Sequence, residues 1–250
     1  MRKTWAGELV LLLLWFLLFT RLDAAVGRDA AAAGAHALAL QSAEHALHLD
    51  LERSLNGRLA GNPVLAHLAV YLYRLYYVVV AGTLLWVFLR HAEVYGKVRR
   101  TMVAMMVLVL PVYWAVPMSP PRLALPGAVD IVARYDILSR AGRESWINPS
   151  HYTAMPSLHV GWALWCAYAV WSALRGAHPR LALLSWLFPL LMAADVLATA
   201  NHYVLDIAGS VALLVAAVAA GWACGRLVAP DRPLERVRTR RKNGPPSSED

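Results

Sequence analysis

Charged side chains are scarce in this chain. Asp, Glu, Lys and Arg make up 16% of its 250 residues, while 59% are hydrophobic. Soluble globular domains carry about 25% charged residues, so the composition excludes an ordinary soluble domain and predicts a membrane-embedded protein. Cysteine is also nearly missing. Cys166 and Cys224 lie in apolar stretches, where a thiol behaves as a small hydrophobic group, so neither a disulfide framework nor a cysteine-based metal site is expected.

The net charge of +8 is distributed in a way that does not suit nucleic acid. Seven of the 24 Lys and Arg residues lie between Arg226 and Lys242, and most of the others lie in short gaps between apolar segments. This distribution is typical of membrane proteins that obey the positive-inside rule. We therefore expect a membrane, and no nucleic acid, as the partner of these charges.

An apolar run at residues 9–19 follows Arg2 and Lys3, and it predicts a signal peptide or a first membrane anchor. Small residues after Asp23 would allow cleavage. The further apolar stretches downstream favour an anchor, which we assign to residues 1–22.

The next segment, residues 23–63, is predicted to be extracytoplasmic. Within it, residues 35–59 carry leucines at helical spacing, interrupted by His45 and several charged residues. Such a helix is amphipathic and too polar to span a bilayer, so we expect it on the membrane surface or as a cap over the bundle.

Five further stretches approach the ~20 residues that cross the hydrocarbon core, and Pro111 is expected to kink the shortest of them. They cover residues 64–89, 102–116, 155–174, 181–200 and 203–224. The predicted fold is an all-α membrane protein, a bundle of about six transmembrane helices with an amphipathic surface helix after the first. Residues 64–226 form the membrane-embedded domain, and the basic, Pro/Ser-rich tail 227–250 is predicted to be disordered and cytoplasmic.

The positions of Lys and Arg also predict the orientation. With the N-terminus inside, fifteen of the 24 fall on the inner face. A multi-pass plasma-membrane protein with both termini in the cytoplasm is therefore expected. Under this topology Arg122, His159, His202 and Asp206 all reach the extracytoplasmic face, although the count did not use them.

Two polar segments at the ends of apolar stretches carry the candidate catalytic residues, 151–160 (HYTAMPSLHV) and 201–206 (NHYVLD). His202 and Asp206 are four residues apart, so a helix would stack them on one face, where the carboxylate can orient the imidazole. His159 lies near a helix start that Pro156 and Ser157 predict, where free N–H groups favour an anion such as phosphate. Taken singly, each histidine could also be a structural residue that joins two helices.

Other polar residues could line the same cavity. Arg122 follows Pro120-Pro121 and suits phosphate through bidentate hydrogen bonds, although alone it would fit a headgroup-level anchor equally well. Arg74, in a tyrosine-rich patch, and Asp195 are ionisable residues inside spans, which usually face the bundle interior and pair, with each other as one option. The neighbours of His202, Asn201 and Tyr203, complete this set of candidates.

The sequence resembles the type 2 phosphatidic acid phosphatase superfamily, whose motifs are KxxxxxxRP, PSGH and SRxxxxxHxxxD. Pro156-Ser157-Leu158-His159 matches the second motif, and His202 and Asp206 match the end of the third. The spellings AMPSLHVGW and NHYVLD are similar to the branch of inositol phosphorylceramide synthases and their bacterial relatives. The resemblance covers roughly residues 64–226.

The chain departs from the family pattern at three positions. Arg122 follows its prolines, Ala115 stands where the first motif has lysine, and Asp195-Val196 replaces the Ser-Arg of the third motif. Two cationic phosphate contacts are therefore missing. Arg74, Arg134, Arg140 or Arg143 could supply the lost charge.

The resemblance implies a membrane phosphoesterase or phosphotransferase that needs no metal or other cofactor. His202 would form a phosphohistidine, Asp206 would stabilise its imidazolium, and His159 would protonate the leaving oxygen. Arg122 and Ser157 would hold the phosphate. The substrate would be a lipid phosphate or phosphodiester, with an alcohol such as inositol as acceptor in a transferase, or water in a phosphatase. Two other readings remain open: a lipid-binding or transport protein, and a metal site built from His159, His202 and Asp206.

Overall fold

A computed structural model describes residues 5–26, 28–135 and 152–228. Within these ranges the chain forms eleven helices and one isolated β-bridge, between Met118 and Thr153. The helices are α1 (Trp5–Asp23), α2 (Ala30–Ala46), α3 (Glu52–Ala60), α4 (Pro63–Arg90), α5 (Ala92–Ala115), α6 (Pro121–Ala124), α7 (Ile131–Tyr135), α8 (Leu158–Leu174), α9 (Pro179–Leu184), α10 (Leu187–Ala198) and α11 (Val204–Val228).

Four helical stretches in the described part are long and apolar enough to cross a membrane: α4, α5, the pair α9–α10 and α11. Helix α8 is a shorter apolar helix in their midst, and α1 is an apolar helix of 19 residues. The predicted all-α membrane fold is therefore confirmed. The predicted span 181–200 is interrupted, because α9 ends at Leu184 and α10 begins at Leu187.

The core is formed by α5, α8 and α11, with α4 packed on one side. Fully buried Met105 and Trp165 lie at its centre, and the indole N–H of Trp165 donates to Val98 O at 3.1 Å. Helices α5 and α11 approach each other closely at Gly221, where an added Cβ atom would lie 3.2 Å from Thr101 N. This close packing fixes the position of α11, the helix that carries Asp206.

Helix α5 begins at Ala92, ten residues before the predicted membrane span 102–116. Its first three turns hold charged residues that a hydropathy pattern excludes, but each has a partner in the fold. Lys97 lies 5.0 Å from the ring of Tyr168, Arg99 forms an ion pair with Glu8 of α1, and Arg100 donates to Gly221 O at 3.1 Å. The helix continues through Pro111 to Ala115.

The predicted amphipathic helix over residues 35–59 is two helices, α2 and α3. His48, with φ of 56°, lies in the connection that separates them. The apolar positions face outward, as Leu38 and Leu47 are 63% and 60% exposed, whereas Glu44 and Glu52 are buried. The buried side of α2 is mixed, because Ala33 and Ala37 pack there beside Glu44, whose carboxylate accepts a hydrogen bond inside the bundle.

The tail 227–250 is predicted to be disordered, and beyond Val228 it lies outside the described residues. Of the two cysteines, Cys166 is buried in α8, as expected of a small hydrophobic residue. Cys224 is exposed on the outer surface of α11. Both cysteines lie on apolar helices, as the sequence predicts.

Candidate active site

Helices α8 and α11 begin side by side at one end of the bundle, which brings the two candidate histidines together. His159 is the second residue of α8, and His202 lies two residues before α11. Their ring centroids are 6.0 Å apart. Ser210 ties the two helix starts together, because its hydroxyl lies 2.8 Å from both Ser157 O and Asp206 O.

The ring of His202 is buried and held at Nδ1. This nitrogen lies 2.8 Å from Ala154 O and 3.4 Å from Asp206 Oδ2. A carbonyl oxygen can only accept a hydrogen bond, so Nδ1 carries the proton and Nε2 keeps the lone pair in the neutral ring. Asp206, fully buried, also accepts from Tyr203 N at 2.9 Å. The orienting role expected of Asp206 is thus shared with a backbone carbonyl.

His159 lies between two tyrosines of α4. Its ring is stacked on Tyr73, with centroids 4.0 Å apart and an interplanar angle of 26°, and it lies 4.4 Å from the centroid of Tyr76. Its Nε2 is buried and has no hydrogen-bond partner among the described residues. Both tyrosines belong to the tyrosine-rich patch around Arg74, which the sequence shows but which by itself indicates no contact with His159.

Ser157 is the N-cap of α8. Its hydroxyl is fully buried and accepts from Val160 N at 3.3 Å. Pro156 directly precedes this N-cap, and the Tyr113 hydroxyl donates to its carbonyl oxygen at 2.9 Å. The Ser157 hydroxyl therefore stabilises the helix start and retains one hydrogen for another acceptor.

Arg122 lies in α6, and its guanidinium is fixed by two neighbours. Nη1 donates to Asn201 Oδ1 at 2.5 Å, and Nε lies 3.1 Å from Asp130 Oδ2. Its backbone N–H donates to Ala200 O at 2.8 Å. This network joins Arg122 and Asn201 directly beside His202. Sequence analysis named both residues but missed Asp130.

Arg74 and Arg122 are both close enough to His159 for their charges to act on its imidazole. Of the other arginines suggested to replace the missing family contacts, Arg134 lies in α7, 5.5 Å from the ring of Tyr135. Arg140 and Arg143 lie outside the described residues. Arg74 and Arg122 are thus the arginines that the structure brings to the histidine pair.

Two of the cavity candidates are buried in different surroundings. Asp195 is 6% exposed, and its Oδ2 has no hydrogen-bond partner within the described part of the chain. It acts electrostatically on Tyr73, as Arg74 does, and the Arg74–Asp195 pair stays a prediction. Tyr203 is fully buried and turned towards α2, where Gln41 donates to its hydroxyl at 2.9 Å.

The described residues contain no group of three or more His, Cys, Asp or Glu side chains that could hold a metal ion. The set proposed for a metal, His159 with His202 and Asp206, is instead engaged differently. His202 and Asp206 share a hydrogen bond, and His159 is stacked on Tyr73.

Several apolar helices indicate a multi-pass membrane protein, and the histidine pair lies at one end of its bundle. A family model described as the PAP2 superfamily matches residues 38–220, most of the chain. The protein belongs to the PAP2 superfamily, and it is a membrane enzyme of the lipid phosphate phosphatase and phosphotransferase type. Comparison with curated proteins and with solved structures finds no match.

Proposed function

We propose that this enzyme transfers a phosphoryl or phospho-head group from a lipid phosphate or phosphodiester through a phosphohistidine on His202. The observation that carries the proposal is the histidine pair. The rings of His159 and His202 lie 6.0 Å apart, and Nδ1 of His202 is engaged by Ala154 O and Asp206. This leaves Nε2 of His202 as the nucleophile.

In the first step, Nε2 of His202 attacks phosphorus in line, and the N–P bond forms as the bond to the leaving oxygen breaks. His159, in its protonated form, gives its proton to that oxygen, so the leaving group departs as an alcohol. Asp206 and Ala154 O stabilise the phosphorylated imidazolium through Nδ1–H. In the second step the acceptor hydroxyl attacks phosphorus, its proton goes to His159, and the P–N bond breaks.

The phosphate oxygens need positive partners during both steps. Arg122 is suited to this task because Asn201 and Asp130 fix its plane, while Nη2 has no hydrogen-bond partner among the described residues. The N–H groups of the first turn of α8 and the remaining hydrogen of the Ser157 hydroxyl would add to the contacts. Arg74 supplies further positive charge near His159.

The acceptor is proposed to be a polyol such as inositol, at the extracytoplasmic face of the plasma membrane. The resemblance of PSLH and NHYVLD to the inositol phosphorylceramide synthase branch supports transfer to an alcohol, and the distribution of Lys and Arg supports the outer face. If water takes the place of the alcohol, the same site is a phosphatase for phosphatidic acid or a polyprenyl phosphate. That is the second candidate function.

The experiment uses purified protein in detergent with a panel of ³²P-labelled lipid phosphates and phosphodiesters, with and without inositol. Label that appears on inositol supports the transferase, and inorganic phosphate supports the phosphatase. Denatured wild-type protein should carry an alkali-stable, acid-labile phosphohistidine, and His202→Ala should carry none. His178→Ala is the matched control because His178 is exposed beside the start of α9, far from the pair in the fold.

If the wild type and His202→Ala were equally inert across the panel, the proposed chemistry would be wrong. Ligand binding that survives in His202→Ala, without turnover in either protein, would favour a lipid-binding or transport protein instead.

A further inference from the structure

Helix α2 contacts α11, the helix that carries Asp206, and the residue just before it through Glu44 and Gln41. No part of the proposed mechanism uses these two side chains. Glu44 is fully buried, and its Oε1 accepts from Leu205 N at 2.6 Å. One turn earlier, Gln41 donates to the hydroxyl of Tyr203 at 2.9 Å. These bonds hold the first turn of α11 immediately before Asp206.

Three buried carboxyl groups are close enough here for their charges to interact. Glu44 interacts electrostatically with Glu52 of α3 and Asp206 of α11, and all three act on Tyr203. One oxygen of each acid, namely Glu44 Oε2, Glu52 Oε2 and Asp206 Oδ1, has no hydrogen-bond partner among the described residues. Groups of like charge in a buried region do not all ionise together. The protonation state of Glu44 is therefore coupled to its two neighbours.

Burial raises the pKa of Glu44 to about 7, and the charges of Glu52 and Asp206 act in the same direction, while the N–H of Leu205 opposes them. Glu44 therefore changes charge within the physiological range of pH. When it is ionised, its bond to Leu205 N–H becomes charge-assisted, and a negative charge lies behind Asp206 at the N-terminus of α11.

We propose that Glu44 is a positioning residue whose negative charge, acting through the first turn of α11 and Asp206, promotes phosphorylation of His202. This inference rests on the proposed function. The reaction places a positive charge on the imidazole of His202, and an ionised Glu44 favours that charge without touching the substrate. The contact also accounts for the burial of a glutamate on the side of α2 that faces the bundle.

The test compares the rate of phosphohistidine formation in the wild type and in Glu44→Gln from pH 5.5 to 8.5. A protonated glutamate and a glutamine are nearly isosteric, and each can accept from Leu205 N–H. The ratio of the two rates should therefore be close to one below pH 6. Above pH 8, where Glu44 is ionised, the wild type should be roughly tenfold faster.

Asp50→Asn is the matched acid-to-amide control, since Asp50 lies in the α2–α3 connection and pairs with His45 at the surface. It should leave the rate unchanged. Glu44→Asp keeps the charge on a shorter side chain, so it should be slower than the wild type but keep the rise with pH. If Glu44 were only a structural cap, neither Glu44→Gln nor Glu44→Asp would change the pH profile. Thermal unfolding of each variant checks that the fold is intact.

A ratio of wild-type to Glu44→Gln rate that stays constant across the pH range, whether at one or at a higher value, would overturn the proposal. A constant value above one would make Glu44 a structural cap. If the wild type forms phosphohistidine but the ratio is flat, this inference fails and the proposed function stands. If the wild type forms no phosphohistidine, the proposed function fails, and this inference fails with it.

Discussion

Nδ1 of His202 has two acceptors, and the nearer one is the carbonyl oxygen of Ala154 rather than the carboxylate of Asp206. In a catalytic triad, replacing the aspartate by asparagine costs about 10⁴ in rate, because the imidazole takes the wrong tautomer. Here the Ala154 carbonyl holds the correct tautomer whatever residue stands at position 206.

We therefore expect Asp206→Asn to retain a measurable rate, reduced by about 10²-fold through loss of charge alone. His202→Ala should fall to background. Single-turnover phosphorylation of the enzyme by labelled lipid phosphate measures both. A loss in Asp206→Asn as complete as that in His202→Ala would show that the Ala154 carbonyl does not hold the ring.

The stacked ring of Tyr73 makes a second prediction at this scale. A tyrosine face attracts a protonated imidazole by ~1–2 kcal/mol when the site is desolvated. Tyr73→Leu should lower the rate about tenfold on substrates whose leaving alcohol needs a proton, whereas Tyr73→Phe should stay near the wild type.

A lipid phosphate ester with a nitrophenol leaving group needs no proton from His159. Tyr73→Leu should therefore lose little rate on that substrate. Equal losses on both substrates would mean that Tyr73 shapes the pocket and does not act through His159.

Sequence motifs named His159, His202 and Asp206 as candidates, because the family pattern specifies side chains, and Arg122 was named from its place after two prolines. The partners of those residues were less visible. The Ala154 carbonyl belongs to the backbone, which carries no residue-specific signal, and Tyr73 contacts His159 across 86 positions of sequence. Asp130 carried no signal of its own, because its distance from Arg122 depends on how α6 and α7 fold back.

At the scale of helices, α2 and α3 show where periodicity succeeds and where it fails. The leucine spacing predicted helical structure correctly. It could not predict the burial of Glu44, Glu52 and Asn56, because that depends on partners elsewhere in the chain. Asn56 donates to Val129 O and Ala198 O and accepts from Val129 N, so three backbone groups determine the side that faces inward.

Helix α1 is held to α5 by a polar cluster at the other end of the bundle. Glu8 is 7% exposed, forms an ion pair with Arg99, and accepts from the Tyr95 hydroxyl at 2.9 Å. Removing one member of a buried pair leaves the other charge uncompensated, at a cost of about 3–5 kcal/mol for full burial and less here because Arg99 is partly exposed.

Glu8→Leu should therefore lower the Tm in detergent by several degrees, while turnover is unchanged because the cluster is remote from His202. The double variant Glu8→Leu/Arg99→Leu should recover most of the loss, since no charge is left unpaired. An equally low Tm in the double variant would attribute the effect to packing and not to charge.

For the whole molecule, the distribution of Lys and Arg predicts that residue 47 lies outside the cell and residue 177 inside. Single cysteines at these positions, Leu47→Cys and Ala177→Cys, test the orientation in a Cys166→Ala/Cys224→Ser background. A membrane-impermeant maleimide applied to intact cells should label Leu47→Cys, and Ala177→Cys only after lysis. The reverse pattern would place the active site in the cytoplasm.

Composition and hydropathy predicted the class of fold correctly, since four long apolar stretches and α8 are present in the described part of the chain. The break in the predicted span 181–200 could not be predicted from the sequence. Ser185 accounts for it locally, as its hydroxyl donates to Ala182 O and Ala167 O, and hydropathy averages do not register such bonds. The placement of the candidate residues at one end of the bundle was expected, because sidedness follows from counting spans.

Three glycines of α11 fit against neighbours too closely to admit a Cβ without displacement: Gly209 against Pro156, Gly221 against Thr101 and Gly225 against Arg100. Sliding α11 along its axis, or turning it, would bring a larger residue such as Trp222 to one of these contacts. These contacts therefore fix the height of α11 relative to its neighbours in the bundle. In a thicker or thinner membrane, tilt and stretching must be taken up by the lipid and the peripheral helices. The enzyme should keep the same reaction geometry in membranes of different acyl length.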